Sequence, residues 1–475
     1  MGNPMAFDLI GETQARAPLK RAAPVTSEGA LPARLPVEPP ALVEPDAALA
    51  QPAPARPSAP LDDMPAPMAE ALAPANAATS APLVSTATSV AADAARLSSR
   101  ITHLRRSLFA PDGGKTFRPL PSGEVARLLG VSDSYLRHLA RTGEGPDPDK
   151  VGGRRLYSLD QVAALRDAIH AKGGSRLSTA GWPTRERGRE HCQTIAVANF
   201  KGGSGKTTTA AHLAQYLALR GYRVLAVDLD PQASLSALFG HQPETDVGEG
   251  DTLYGAIRYA DPRPTREVVR PTYVRGLDLI PGNLELHEFE HDTPRALAAG
   301  ANGGTPFFAR VAEAIAQVSD DYDVVVLDCP PQLGFLTLGA LCAATGVVVT
   351  VHPQMLDIAS MSQFLNMTAD LMGVVEEAGA TPRLDFMRYL VTRHEPQDGP
   401  QGQVIGFLRT LFAERVLTHA MVKSAAVSDA GLSKQTLYEV PREAMDRRTH
   451  DRARASLDAV NGEIEGLMRA AWGRA

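Results

Sequence analysis

Cysteine is scarce in this chain: among 475 residues it occurs at Cys192, Cys329 and Cys342, with no repeated spacing. Thiols so placed build neither a disulfide framework nor a zinc site, and they fit a reducing cytoplasm. The first residues, MGNPMAFDLIGETQARAPLK, lack a basic head followed by an apolar core, so no secretory signal is expected. Residues 329–356 carry no charge, but Pro330, Pro331, Gly334, Gly339, Gly346, His352 and Pro353 interrupt the run. A helix followed by a buried strand suits it better than a membrane span. Aromatic residues are nearly missing before residue 95, where 16 of the 37 prolines lie. So little apolar surface cannot offset the entropy of ordering the backbone, and residues 1–90 are expected to be a disordered tail. Synthesis that begins at Met64 or Met68 is the alternative.

What is present is unevenly charged. Lys+Arg minus Asp+Glu is 5 − 10 = −5 over residues 1–95, 18 − 10 = +8 over 96–190 and 25 − 34 = −9 over 191–475. A basic block between acidic neighbours predicts a polyanion partner for that block, with a solvated linker face as the other reading. Within it, Leu97, Ile101, Leu104 and Leu108 recur at helical spacing among arginines. An amphipathic helix over 91–110 follows, able to pair with its own copy or to lie on the next domain.

Residues 111–175 read as a winged helix-turn-helix. Val125, Ala126 and Leu129 share one helical face, Gly130 breaks the helix, and Ser132 is a good N-cap for a second helix over 133–141. That helix offers Ser134, Tyr135, Arg137, His138 and Arg141 to base edges and phosphates of a major groove. Gly152 and Gly153 then turn a short hairpin carrying Arg154 and Arg155, and Ser158 caps a third helix. The segment resembles the DNA-binding domains of MerR-like regulators. Residues 176–191, rich in Gly, Ser and Arg, are expected to be a linker.

From residue 192 to 475, strand-like runs at 194–200, 222–228, 277–280, 324–328, 346–351 and 386–392 alternate with helical patterns, the rhythm of an α/β doubly wound, mostly parallel sheet. The first strand runs into NFKGGSGKTTT at 199–209. Closely spaced Gly202, Gly203 and Gly205, with Ser204, let backbone N–H groups surround an anion. Lys206 can reach the β and γ phosphates, Thr207 can ligate Mg²⁺, and Thr208 continues the cradle. A strict P-loop pattern has Gly or Ala where Phe200 stands, and a second lysine, Lys201, lies inside the loop. Downstream, VLAVDLDPQA at 224–233 ends a buried strand in Asp228 and Asp230, which a two-residue period turns the same way. Capping of the next helix is the other role open to them. A third box, DVVVLDCPPQLG at 323–334, brings the carboxylate of Asp328 to the edge where the loop ends.

Together KGGSGK, DLDPQA and the strand ending in Asp328 resemble the deviant Walker A ATPases of the ParA/MinD superfamily. The HPQMLDIASMSQF run at 352–364 and the AMVKSAAVSDAG run at 420–431 resemble the RepA-type partition ATPases of RepABC plasmids. That resemblance covers roughly residues 105–475. It implies ATP and Mg²⁺ as cofactors, Asp228 and Asp328 in the metal shell with Thr207, and Asp230 beside the attacking water. It further implies that Lys201 reaches across an ATP-dependent homodimer to the partner's phosphates. Lys423 is the best candidate for sequence-blind DNA contact, with Arg415, Arg447 and Arg448 weaker. A ParB/RepB-like centromere-binding partner, autorepression through the helix-turn-helix and a cytoplasmic, nucleoid-associated location are also implied. Ala233 stands where relatives commonly have Gly. The C-terminal stripe Leu457, Val460, Ile464, Leu467 and Met468 is interleaved with acidic residues, so that helix should pack on its own domain rather than a membrane. A transcriptional regulator switched by ATP with negligible turnover is the alternative function.

Overall fold

The computed structural model describes residues 86–108, 115–172, 184–300, 304–380 and 382–474, without the side chains of 101–108. The expected tail therefore lies outside the described residues, except that residues 86–90 belong to the helix Thr86–Leu108, which starts earlier than the amphipathic pattern suggested. That pattern opens with Leu97, whereas the preceding Thr, Ser and Ala residues extend the helix without an apolar face.

A small domain follows. Its three strands β1 (Leu120–Pro121), β2 (Asp149–Val151) and β3 (Arg154–Tyr157) pair antiparallel in the order β1-β3-β2. The helix Ser122–Leu129 buries the expected Val125, Ala126 and Leu129 and stops at Gly130, whose φ of 65° lies in the left-handed region. Ser132 then accepts from Tyr135 N, opening the helix Asp133–Thr142. Gly152 and Gly153, at φ 56° and 75°, make the tight turn between β2 and β3. Ser158 and Gln161 form a capping box on the helix Leu159–Ala171. Leu136, Leu139, Leu165, Ile169 and Tyr157 close a separate core.

The larger domain is built on seven strands: β4 (Gln193–Ala198), β5 (Val224–Asp228), β6 (Arg270–Pro271), β7 (Leu277–Ile280), β8 (Val324–Asp328), β9 (Gly346–Val351) and β10 (Phe386–Val391). Their order is β10-β9-β4-β8-β5-β7-β6, all parallel except the edge strand β6. Period-two alternation sends Ile195, Val197, Val224, Ala226, Val324 and Val326 to one face and Ala196, Ala198, Leu225, Val227, Val325 and Leu327 to the other. Helices cover both faces, as a doubly wound parallel sheet requires. The last helix, Arg447–Ala471, lays Leu457, Val460, Ile464 and Met468 on the first of these faces. Among the described residues no helix is long and apolar enough to cross a membrane.

Two segments correct the linear reading. Residues 184–191 were expected to be linker, yet Arg185 is buried and donates to Tyr322 O, Glu190 O and Ser319 O. An arginine with so many carbonyl partners fixes that stretch to the sheet domain. The small domain is also fastened rather than tethered. The Lys115 ammonium, with its side chain 7% exposed, meets Leu238 O at 2.6 Å, Tyr273 Oη at 2.7 Å, Lys434 O at 2.7 Å and Glu439 Oε2 at 2.7 Å. Arg166 donates to Leu219 O, and Glu124 pairs with Arg454.

Candidate functional site

Parallel strands place their C-terminal ends at one edge, and the loop after β4 is seated there. Gly203 and Gly205, at φ 75° and 90°, take conformations in which a side chain would be strained. A Cβ on Gly205 would meet Thr392 at 3.5 Å, an ordinary contact, so the positive φ and not crowding is what calls for glycine there. The loop is pinned from its neighbours: Thr392 Oγ1 donates to Ser204 O at 2.7 Å, Thr350 Oγ1 to Ser204 Oγ at 2.9 Å, and Lys201 N to Asn199 Oδ1 at 3.0 Å. The helix Lys206–Arg220 begins at once, aiming its N-terminal dipole into the loop. Gly202, Ser204, Thr207 and Thr208 thus stand around one cradle.

Its two lysines behave differently. Lys206 is buried, with Nζ 3.3 Å from Lys201 O. Burial pushes its ammonium below the ordinary range, while Asp328, Cys329 and Asp230 pull it back. Lys201 is instead directed to Asp357 at the start of the helix Met355–Glu377 and forms an ion pair there, its side chain 44% exposed against 5% for Asp357. His352 Nδ1 shares the same carboxylate at 3.1 Å.

Asp228 and Asp328 stand opposite each other in the parallel register of β5 and β8, both fully buried. Burial raises both carboxyls, and each also feels nearby acidic groups, Asp328 chiefly through Asp228. Their hydrogen bonding separates them. Asp228 Oδ2 accepts from Ser236 N at 2.8 Å and Ser236 Oγ at 2.7 Å, and Oδ1 from Asp230 N at 3.2 Å. It therefore braces the next helix, Ser234–Leu238, the other role the sequence left open. Neither oxygen of Asp328 has a well-formed hydrogen bond, although Thr207 lies close enough to ease its charge. A buried carboxylate with orphaned oxygens next to a second carboxylate, a lysine and a hydroxyl suits a hard cation. No group of three or more His, Cys, Asp or Glu among the described residues could hold such an ion. Mg²⁺ here would need Thr207, Asp328, water and substrate oxygens together.

Asp230, half-buried, accepts from Gln232 N at 2.9 Å and borders a cavity of about 100 Å³ with Pro330, Pro331 and Gln332. Ala233 takes φ 53°, a strained setting for alanine where glycine would be at ease. Sequence reasoning missed Asp357, Thr392 and Thr350 as supports of the loop. It also missed Glu290, whose carboxylate accepts from Phe335 N and Leu336 N, both at 2.9 Å, and so caps the helix after the Asp328 segment. These residues are remote from the loop in sequence; Asp357 lies inside the 352–364 run, but that run gave no sign of a contact with Lys201.

On the small domain, Ser134, Arg137, His138 and Arg141 are exposed along one side of the helix Asp133–Thr142, and Tyr135 is half-buried against the core. Arg137 is ion-paired to Asp133 one turn earlier at 3.1 Å. Arg154 and Arg155 lie on the hairpin, as expected. Lys423 sits apart from them, paired with Glu395 at 2.9 Å and 54% exposed. Arg415 is exposed as well.

Comparison with known proteins agrees with this two-part layout. Residues 192–377 match the family described as AAA domain, and residues 120–181 the MerR HTH family regulatory proteins. A protein of Rhizobium rhizogenes named as a replication protein A is 56% identical over 383 residues, 80% of this chain and 93% of that one. Protein SopA of Escherichia coli strain K12 is 31% identical over 349 residues, 72% of this chain and 84% of its own. A solved structure named Partition Protein matches with a TM-score of 0.56 at 20% identity, over 81% of this chain and 99% of that chain, a likeness of fold.

Proposed function

Because the chain belongs to the ParA/MinD superfamily of partition ATPases, of the RepABC-plasmid type, we propose that it segregates a low-copy replicon by an ATP-driven dimer cycle. The ATP-bound dimer coats DNA without sequence preference, a ParB/RepB-like partner stimulates hydrolysis, and the winged module represses the chain's own operon. The protein works in the cytoplasm, on the nucleoid.

The observation that carries this reading is the divided use of two lysines. Lys206 is buried in its own cradle, whereas Lys201 turns to Asp357 and is half-exposed. A loop that served one triphosphate alone would have no use for a second ammonium directed elsewhere. In the dimer, Lys201 leaves Asp357 and reaches the partner's phosphates, where it stabilises transition-state charge as an arginine finger does. Backbone N–H groups from Gly202 to Thr208 and the Lys206 ammonium hold the β and γ phosphates. Mg²⁺, which Thr207 and the unpartnered Asp328 would hold with Asp228 behind them, would supply positive charge to the β and γ phosphates. Asp230 accepts a hydrogen bond from the water that attacks the γ phosphorus as the β–γ bridging oxygen leaves with ADP. Lys423 contacts phosphates of bulk DNA, and such contacts are steeply salt-dependent.

Turnover of ATP measured with and without duplex DNA tests the proposal. Hydrolysis stimulated by DNA is expected, with loss of binding in Lys206→Ala and an ATP-trapped dimer in Asp230→Ala. Absent turnover under all conditions would leave the ATP-switched regulator. Normal cycling in Asp230→Ala would remove that residue from the water.

A further inference from the structure

The DNA-facing residues of the winged module border the sheet domain directly. Arg137 of the helix Asp133–Thr142, Lys150, Arg154 and Arg155 of the hairpin, and Asp133 line a hollow of about 610 Å³ whose remaining wall includes Glu443. Arg154 Nη1 lies 3.2 Å from Glu443 Oε1, with the two side chains 73% and 52% exposed. Arg155, which also lines the hollow, keeps its Nη1 buried without a hydrogen-bond partner, a donor left unsatisfied in this arrangement. Glu443 belongs to the short turn Arg442–Ala444, just ahead of the helix Arg447–Ala471. Arg447 opens that helix and is exposed. The Glu443 carboxyl is held below its usual range first by its own backbone N–H and then by Arg154 and Arg447, which places both arginines in electrostatic reach of it. Arg442, by contrast, is engaged with Asp451.

We propose that the duplex-binding surface spans both domains, running from Arg137, Lys150, Arg154 and Arg155 onto Arg447, with Glu443 standing in the place of a DNA phosphate until duplex arrives. The inference rests on the reading of the winged module as an operator-binding unit and extends it. A backbone phosphate entering between Arg154 and Arg447 displaces the Glu443 carboxylate and meets two guanidinium groups, while the N-terminus of the helix Arg447–Ala471 stays capped by Asp446, which accepts from Thr449 N at 2.8 Å. Glu443 meanwhile disfavours weak encounters, because its repulsion of phosphate is relieved only when several arginines engage together. Operator DNA then touches the ATPase domain itself, so a shift of that domain alters the grip on DNA without any change within the winged module.

The test is fluorescence anisotropy of the full chain across a salt series, on the duplex preceding its own reading frame and on an unrelated duplex of equal length. Arg447→Ala should weaken binding to the first duplex about five- to tenfold and make the log–log salt dependence shallower by about 0.9, the value of one phosphate contact. Glu443→Gln should tighten binding about threefold, the scale of an exposed ion pair. Arg137→Ala gauges the underlying reading. If Arg137→Ala weakens binding while Arg447→Ala and Glu443→Gln leave affinity and salt slope unchanged, the surface is confined to the winged module and the proposal is wrong. If the unaltered chain grips neither duplex, the operator-binding reading falls, and the proposal with it.

Discussion

Lys201 is held by a residue 156 positions away in the same chain, and under the proposed dimer cycle that contact sets when it can act. Asp357 is buried, fixed by His352 as well, and offers the lysine a ready-made partner on one face of the helix start. Reaching a second subunit means giving up this pair. Removal of the carboxylate in Asp357→Asn should therefore favour the ATP-bound dimer, lowering its half-assembly concentration by up to about fivefold, the range of a partly exposed ion pair. Sedimentation with a non-hydrolysable analogue reads the change. An unaltered assembly curve would mean that Asp357 does not compete for Lys201. The lysine was legible in the sequence because it stands inside a recognisable loop. Its partner was not, since an aspartate at a helix start looks like any cap until the fold brings it across.

The helix Lys206–Arg220 links the phosphate loop to the C-terminal segment through one imidazole. His212 Nδ1 lies 2.7 Å from Thr208 O, and Nε2 accepts from Leu437 N at 3.1 Å. Those partners require the neutral ring with its proton on Nδ1, because a second N–H would face another donor. Burial pushes the ring down to about 4, with the Thr208 carbonyl opposing. In the unfolded chain an imidazole protonates near 6.5. The unfolded state therefore binds the extra proton between these values, and stability is complete above about 6.5 and falls as pH drops toward 4, by roughly 3 kcal/mol from this group. Denaturant unfolding at stepped pH should show that loss in the native chain and a flatter profile in His212→Gln. Equal slopes would place the acid sensitivity elsewhere. At this scale the sequence was most readable where the pattern was densest. The runs 277–280, 324–328 and 346–351 coincide with β7, β8 and β9. The two-residue β6 was invisible, since Arg-Pro carries no periodicity and is a strand only by pairing with β7. Residues 184–191 misled for the opposite reason: their Gly and Arg content suggests solvent, while Tyr322 O and Ser319 O, which bind Arg185 along with Glu190 O, come from another part of the chain.

For the whole molecule, the proposed cycle joins two DNA-directed modules and one nucleotide site through a dimer, and the division into basic and acidic blocks is plain from residue composition. The fixed attachment of the winged module, by Lys115, Arg166 and Glu124, could not be read from the sequence, because each contact joins residues far apart along it. The central claim is that each subunit lends Lys201 to its partner. Mixing Lys201→Ala with Asp230→Ala chains tests this in one assay of ATP turnover. In the mixed dimer, the Lys201→Ala subunit keeps an intact Asp230 and receives Lys201 from its partner, so one competent site is rebuilt. If the subunits exchange freely, turnover should return to about a quarter of the native rate per subunit, although either variant alone is nearly inactive. A mixture no more active than the sum of its parts would contradict the shared site.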